Sequence, residues 1–232
     1  MDPSDCFLGI SGRLRLKWLR RRNQRQPLQE RCYLQEQVRV FLPEFLTFRV
    51  RDKVWLEGYW QDQRYFADAE SYLREELRLA VPLSVDDRRM EAEILSGPSI
   101  GVHIRTFRDI PQHHVSEPPP PTAYYQAAVL EALTTEPAAR LFCFSDDPDW
   151  AHANIRLPGT VTFVTHNMQR GNAGAPFDLW LLSRCRHLVL SNSSFSWWAA
   201  WLADHPGRAW ISAVHYWPNT VAFAKTLMKV TV

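Results

Sequence analysis

Between residues 99 and 212, short apolar runs alternate with helical segments, joined by polar turns and loops. The runs are "SIGVHI" (99–104), "RLFCF" (140–144), "TVTFVT" (160–165), "HLVL" (187–190) and "RAWIS" (208–212). Runs of this length, apolar on both sides, predict strands buried on both faces of a parallel sheet. Between them, "AYYQAAVLEAL" (123–133), "PDWAHANI" (148–155), "PFDLWLLSRC" (176–185) and "SFSWWAAWLA" (194–203) read as helices. Strand and helix in alternation predict an α/β fold with a doubly wound parallel sheet from residue 99 onward.

The first 98 residues carry less pattern. "DKVWLEG" (52–58) reads as a strand and "RYFADAESYLREELRLA" (64–80) as an amphipathic helix ended by Val81-Pro82. An Arg-rich helical stretch precedes them. The expected division is therefore an N-terminal α/β part over 1–98 and a doubly wound α/β domain over 99–232. The loop "PQHHVSEPPPPT" (111–122) interrupts the second, because four prolines in a row hold an extended backbone. No internal repeat at solenoid spacing is present.

Charge narrows the partners. A net charge of +2 over 232 residues gives no global attraction for nucleic acid. The basic excess is local: "RLRLKWLRRRNQRQ" (13–26) holds seven Arg or Lys and no acid. It reads as a solvated helix face, or as a surface that meets an anionic polymer or anionic lipid, the latter as peripheral membrane contact. No apolar run reaches the ~20 residues of a membrane span. Cys6, Cys32, Cys143 and Cys185 lack any C-x-x-C spacing, and Cys143 and Cys185 lie in apolar runs as buried thiols. These features predict a cytoplasmic protein, peripheral at most at the inner membrane surface.

In open parallel sheets ligands bind beyond the carboxyl ends of the strands, and three of those ends are polar here. "SIGVHI" carries His103 and is followed by Arg105, Arg108 and Asp109; "RLFCF" by Ser145, Asp146 and Asp147; "HLVL" by Ser191, Asn192, Ser193 and Ser194. Asp147 before Pro148 also reads as an ordinary helix cap, as does Asn192 or Ser193. A helix start rich in Ser and Asn offers backbone amides and a positive dipole end to a phosphate. Arg105 adds a bidentate, permanently charged fork, while a carboxylate such as Asp146 can accept from the N–H edge of guanine. Phosphate at one strand end and base at the next describe a nucleotide-sugar site. Neither G-x-x-x-x-G-K-[ST] nor G-x-G-x-x-G follows a strand. His113 and His114 adjoin in sequence and do not converge readily as metal ligands, so no metal site is predicted.

The quoted "VHIR" with its following Asp, "FSDDPDW", "DLWLLSRCRHLVLSNSSFSWWAAWL" and the upstream "LEGYWQDQRYF" together resemble the alpha-1,2-fucosyltransferase family, over roughly residues 54–203. The resemblance implies a GT-B-like pair of facing Rossmann-like domains, the C-terminal one binding the donor and the N-terminal α/β part shortened. It implies an inverting transfer of L-fucose from GDP-fucose to the 2-hydroxyl of a galactose-type acceptor, in a galactose-containing oligosaccharide or glycan precursor, with no metal or other cofactor. By position, Arg105 matches the arginine that holds the diphosphate, His103 and Asp146 lie near guanine with Asp147 as substitute, and Asn192, Ser193, Ser194 and Phe195 form the donor-binding turn. Asp109 is the nearest candidate base, with the ordering of the Arg105 loop as its alternative role.

Two departures stand out. The family's His-x-Arg-Arg-Gly-Asp is "HIRTFRD" here: the second Arg is Thr106, the glycine is missing, and one residue is added before Asp109. Arg108 replaces the lost charge only if that loop bulges. Nothing before residue 54 matches the family's glycine-rich "GGLGNQ"-like opening, which points to a truncated or divergent member. The alternatives are a non-catalytic GDP-sugar-binding remnant, or a transferase of the same fold with another donor sugar.

Overall fold

The computed structural model describes residues 18, 20–36, 41–50, 53–109, 119–204 and, as backbone, 209–212. Cys6, His113, His114 and the first residues of the basic stretch lie outside them. The chain divides into two compact units, Met1–Ala67 and Asp68–Val232. The expected boundary at 98/99 lies about thirty residues further on; residues 68–98 group with the second unit.

In the first unit, β1 (Tyr33–Gln35) and β2 (Trp55–Glu57) pair in parallel. The β1 strand has no counterpart in the sequence reading, being only three residues long. Asn23 fixes its start: the side-chain oxygen accepts from the amides of Cys32 (3.1 Å) and Tyr33 (3.2 Å). Around Tyr65, the rings of Phe41, Phe45 and Trp60 form a small aromatic cluster with centroids 4.9–6.4 Å from it.

The second unit opens with α1 (Glu70–Glu76) and α2 (Val85–Leu95). The single helix expected over 64–80 is thus confined to seven residues of α-helix, after 3-10 turns at Gln63–Tyr65 and Ala67–Ala69. Ala69 supplies no side-chain cap, whereas Asp62 captures the amide of Arg64 and starts a turn upstream. The α2 helix was not foreseen, since charged residues dilute its apolar positions. Its signal is the capping box: Ser84 Oγ accepts from Asp87 N at 3.1 Å, and Asp87 Oδ2 accepts from Ser84 N at 3.0 Å.

From there strand and helix alternate as expected: β3 (Ser99–Ile104), α3 (Thr122–Thr135), β4 (Arg140–Ser145), α4 (Pro148–Asn154), β5 (Val161–Phe163), α5 (Ala175–Arg184), β6 (His187–Leu190), α6 (Ser194–Leu202) and β7 (Ala209–Ser212). A 3-10 segment, Met168–Gly174, precedes α5. All five strands are parallel, in the order β5-β4-β3-β6-β7. The chain starts at the centre, builds outward to β5, then returns to the other side of β3. Neighbours β3 and β6 are therefore the place where the winding reverses, which opens a crevice at their carboxyl ends.

Alternate residues of the strands feed two cores. Ile100, Val102, Ile104, Leu141, Cys143 and Val189 pack with Tyr125, Ala128 and Val129 of α3 and Ala151 of α4. Phe142, Phe144, Leu188 and Leu190 pack on the opposite face with Ile94 of α2, Leu181 and Leu182 of α5, and Ala199 and Ala200 of α6. Trp197 and Trp201 are buried, so this end of the tryptophan-rich helix is packing. Cys143 and Cys185 are buried free thiols, and burial pushes both pKa values up; Cys32 is exposed. Among the described residues no helix is long and apolar enough to cross a membrane.

Candidate functional site

At the carboxyl ends of β3, β4 and β6 lies an open cleft of about 340 Å³. Six of the ten sequence-predicted site residues line it: His103, Arg105, Asp109, Asp146, Ser193 and Phe195. The remaining four do not. Asp147 caps α4, its Oδ1 accepting from Trp150 N at 3.0 Å. Asn192 is buried in the turn, Ser194 begins α6, and Arg108 turns its half-exposed side chain toward Asp147 Oδ2 at 3.6 Å.

The loop after β3 is tied down by one carboxylate. Asp146 Oδ1 accepts from Thr106 N at 2.7 Å, and its Oδ2 accepts from Thr106 Oγ1 at 2.8 Å, from Phe107 N at 3.1 Å and from the Arg105 guanidinium. Both oxygens are spent inside the protein, where the sequence reading had one edge facing a base. Where the family places glycine, Phe107 takes up a left-handed backbone (φ 55°) and the loop accommodates the added residue. Its buried ring lies 4.8 Å from the Arg105 guanidinium carbon. The loop does bulge, yet Arg108 leaves it away from the cleft.

Arg105 is held on two sides. Asp109 contacts it at two points, Oδ1 to Nη1 and Oδ2 to Nη2, both 2.9 Å, while Asp146 takes Nη1 from the other side. Burial alone would lower its pKa, but the hydrogen bonds it donates to Asp109 and the charge of Asp146 outweigh that and hold it above the ordinary value. The arginine is a fixed cation at the mouth of β3.

Opposite stands the start of α6. Ser193 occupies the N-cap position with an extended backbone, but its side chain makes no capping hydrogen bond. Ser196 Oγ instead donates to the Ser191 and Ser193 carbonyls, at 3.2 and 3.1 Å, and braces the turn. A helix start without a side-chain cap keeps first-turn amides available to an anion.

His103 points to the α6 side of the sheet, its ring 5.0 Å from that of Phe195 and tilted 30° to it. Burial pushes its pKa down to about 4, with the Asp146 charge opposing and Arg105 reinforcing the shift. It is therefore a neutral imidazole at physiological pH, and its Nδ1 is buried with no hydrogen-bond partner.

The far wall was missed by the sequence reading. It consists of Asn167, Met168, Gly171, Asn172, Ala175 and Asp178. Asp178 Oδ1 accepts from Asn167 Nδ2 at 2.8 Å. Burial raises its pKa, and the Asn167 hydrogen bond and the neighbouring His166 lower it only in part. The signal available in sequence was a carboxylate at the start of the "DLWLLSRC" stretch, in the first turn of the helix that follows the polar turn. Among the described residues no cluster of three His, Cys, Asp or Glu side chains is placed to hold a metal ion.

Comparison with known proteins matches residues 27–220 to the family described as glycosyl transferase family 11, which bears out the resemblance carried by the motifs. An alpha-1,2-colitosyltransferase of Escherichia coli is 27% identical over 158 residues, 64% of this chain and 51% of the relative. The O-antigen biosynthesis glycosyltransferase WbnK of Escherichia coli is 29% identical over 82 residues, 35% of this chain and 26% of the relative. The chain spans about half the length of the first of these and a quarter of the second. Among solved structures, fucosyltransferase NodZ from Bradyrhizobium aligns at 19% identity and TM-score 0.35, covering 66% of this chain and 62% of that one.

Proposed function

The chain belongs to glycosyl transferase family 11, and from that premise we propose that its cleft binds GDP-fucose and moves L-fucose, with inversion, to the 2-hydroxyl of a galactose-type acceptor. The observation that carries the reading is the convergence on one crevice of a fixed cation, Arg105, and a helix start without a side-chain cap at Ser193. Together they suit a diphosphate. His103 and Asp178 stand at the same cleft and suit guanine: a neutral imidazole N–H can donate to the 6-oxo group, and a carboxylate can accept from N1–H and the 2-amino group. Asp178 takes the place given in sequence to Asp146, whose oxygens serve the Arg105 loop. In this reading residues 68–232 form the Rossmann-like donor half of a GT-B-like enzyme.

In the transfer the acceptor oxygen bonds to the anomeric carbon as the bond from that carbon to the diphosphate oxygen breaks. The electron pair leaves with GDP, and Arg105 and the α6 amides stabilise the growing charge. Preorganised donors of this kind are worth about 3–4 kcal/mol each in the barrier. The acceptor hydroxyl's proton passes to a base; Asp109 is the candidate carboxylate whose oxygens are not tied to the Thr106 loop, but its two-point contact with Arg105 makes it first an orienting group. With phosphate charge met by Arg105 and backbone amides, no divalent ion is required.

A second donor deserves a place because the E. coli relative is named a colitosyltransferase. Colitose differs from L-fucose in lacking one hydroxyl, and the nucleotide-binding groups above serve either sugar equally. The test is GDP release with GDP-fucose or GDP-colitose and a galactosyl acceptor, with chelator present. Release with either donor upholds the transferase; GDP binding without release from either favours a non-catalytic remnant; loss of release that added magnesium restores removes the metal-free assignment.

A further inference from the structure

Behind the far wall of the cleft, a network centred on a buried carboxylate joins the start of α2 to the 166–178 segment of the second unit. At its centre Asp87 of α2 is fully buried and accepts from Ser84 Oγ (2.6 Å), Asn167 Nδ2 (3.0 Å) and Arg170 Nη1 (3.2 Å), with His166 Nε2 at 2.8 Å. Burial would raise its pKa, but the hydrogen bonds from Ser84 and His166 prevail and drive it well below the carboxylate range. It is a permanent buried anion, anchored by its own helix cap.

Asn167 is 1% exposed and its amide nitrogen reaches two carboxylates, Asp87 Oδ1 at 3.0 Å and Asp178 Oδ1 at 2.8 Å. An amide flip would set its oxygen against both anions, so the orientation is imposed by them. In that orientation the Asn167 oxygen is buried without a hydrogen-bond partner, a cost of the kind that buried polar groups rarely carry. The gain is geometric: a neutral double donor fixes the Asp178 carboxylate at a set place on the cleft wall. Gly174 keeps the segment that close, since a β-carbon there would lie 2.4 Å from the Asn167 carbonyl oxygen.

We infer that Asn167, itself held by Asp87, is a positioning residue that sets base specificity by aiming the Asp178 carboxylate at the guanine edge. The inference rests on the proposed role of Asp178 and adds to it the device that orients the group. Removing Asn167 then frees the Asp178 carboxylate to rotate, and the ligand loses the paired acceptors facing N1–H and the 2-amino group. The loss falls most on a base that has both donors.

The test is calorimetric titration of GDP, inosine diphosphate (which lacks the 2-amino group) and UDP into wild type, Asn167→Ala, Asp178→Asn and the double variant. Expected are a loss of about 10-fold or more in GDP affinity for Asn167→Ala, a smaller loss for inosine diphosphate, and no further loss when Asn167→Ala is added to Asp178→Asn. Multiplying losses in the double variant, or an unchanged ratio of GDP to inosine diphosphate, would overturn the inference. Wild type that binds GDP and UDP alike would instead remove the reading of the base site itself. Should Asn167→Ala lose its cooperative melting transition, Asn167→Ser, whose hydroxyl cannot span both carboxylates, replaces it and is held to the same outcomes.

Discussion

Asp109 grips Arg105 across one turn of loop, oxygen to nitrogen at two points and 2.9 Å each, so the guanidinium is already oriented before any ligand enters. A guanidinium pre-set in this way can face a diphosphate without the entropy cost of side-chain ordering. Lysine cannot reproduce it. Arg105→Lys is expected to lower turnover by about 100-fold or more while changing GDP affinity less. Arg108→Ala is expected to leave turnover nearly unchanged, because that side chain is half-exposed and turned to Asp147. Steady-state kinetics on both variants decides: equal damage from the two would place Arg108 in the cleft, and wild-type-like Arg105→Lys would remove the cation from the mechanism.

Phe107 offers a test in stability alone. Its backbone is left-handed at φ 55°, which costs a non-glycine residue roughly 1–2 kcal/mol. Its ring is nonetheless buried and stacked beside Arg105, and losing a buried Phe side chain typically costs about 3–5 kcal/mol. Both Phe107→Ala and Phe107→Gly should therefore be destabilised. The order is the informative part: glycine accepts the left-handed backbone, so Phe107→Gly should be the more stable by about 1 kcal/mol, the reverse of the usual ranking. Urea unfolding of the pair measures it, and alanine above glycine would place the loop in another conformation.

The sheet was legible in the sequence because its strands are buried on both faces. Ser99–Ile104 and His187–Leu190 have the bounds that their apolar runs predict. What periodicity cannot supply is the partner of a polar residue. Asp146 and Asp178 both sit beside apolar segments, yet one is consumed by the Thr106 loop and the other opens on the cleft. The Asp87 network was invisible for the same reason: its members, at 84, 87, 166, 167, 170 and 178, meet only through tertiary packing. The α2 helix escaped notice because its stability comes from a cap and a few apolar contacts, not from a strong apolar stripe.

Gly101 tests the packing beneath the site. A β-carbon there would lie 2.7 Å from Leu182 Cδ1 and 3.0 Å from both Cys185 Sγ and Leu188 Cδ2. Those atoms belong to the closed core between the sheet and α5. Gly101→Ala is expected to cost about 1–3 kcal/mol, the usual penalty of overpacking. Thermal unfolding would show it as a lowered midpoint, and an unchanged midpoint would mean that α5 can move away from the sheet.

His103 links the site to pH. Its folded pKa of about 4 lies below the unfolded value of 6.5, because burial disfavours the charged ring. Between those values the unfolded chain binds the proton and the folded chain does not. Its contribution to stability is therefore complete above pH 6.5 and falls as pH drops through 4, by on the order of 3 kcal/mol in all. Other groups titrate in the same window, so the measurement is a difference. His103→Gln keeps an amide near the unpartnered Nδ1 position and has no proton to gain. Urea unfolding from pH 7.5 to 4 should lose stability less steeply in His103→Gln than in wild type. The imidazole is neutral from pH 8 to 6, so over that range the pH dependence of GDP affinity should be the same in wild type and His103→Gln, leaving only the titration of the terminal phosphate. Parallel stability curves for the two proteins would mean that His103 is not desolvated, and would withdraw it from the dry end of the cleft.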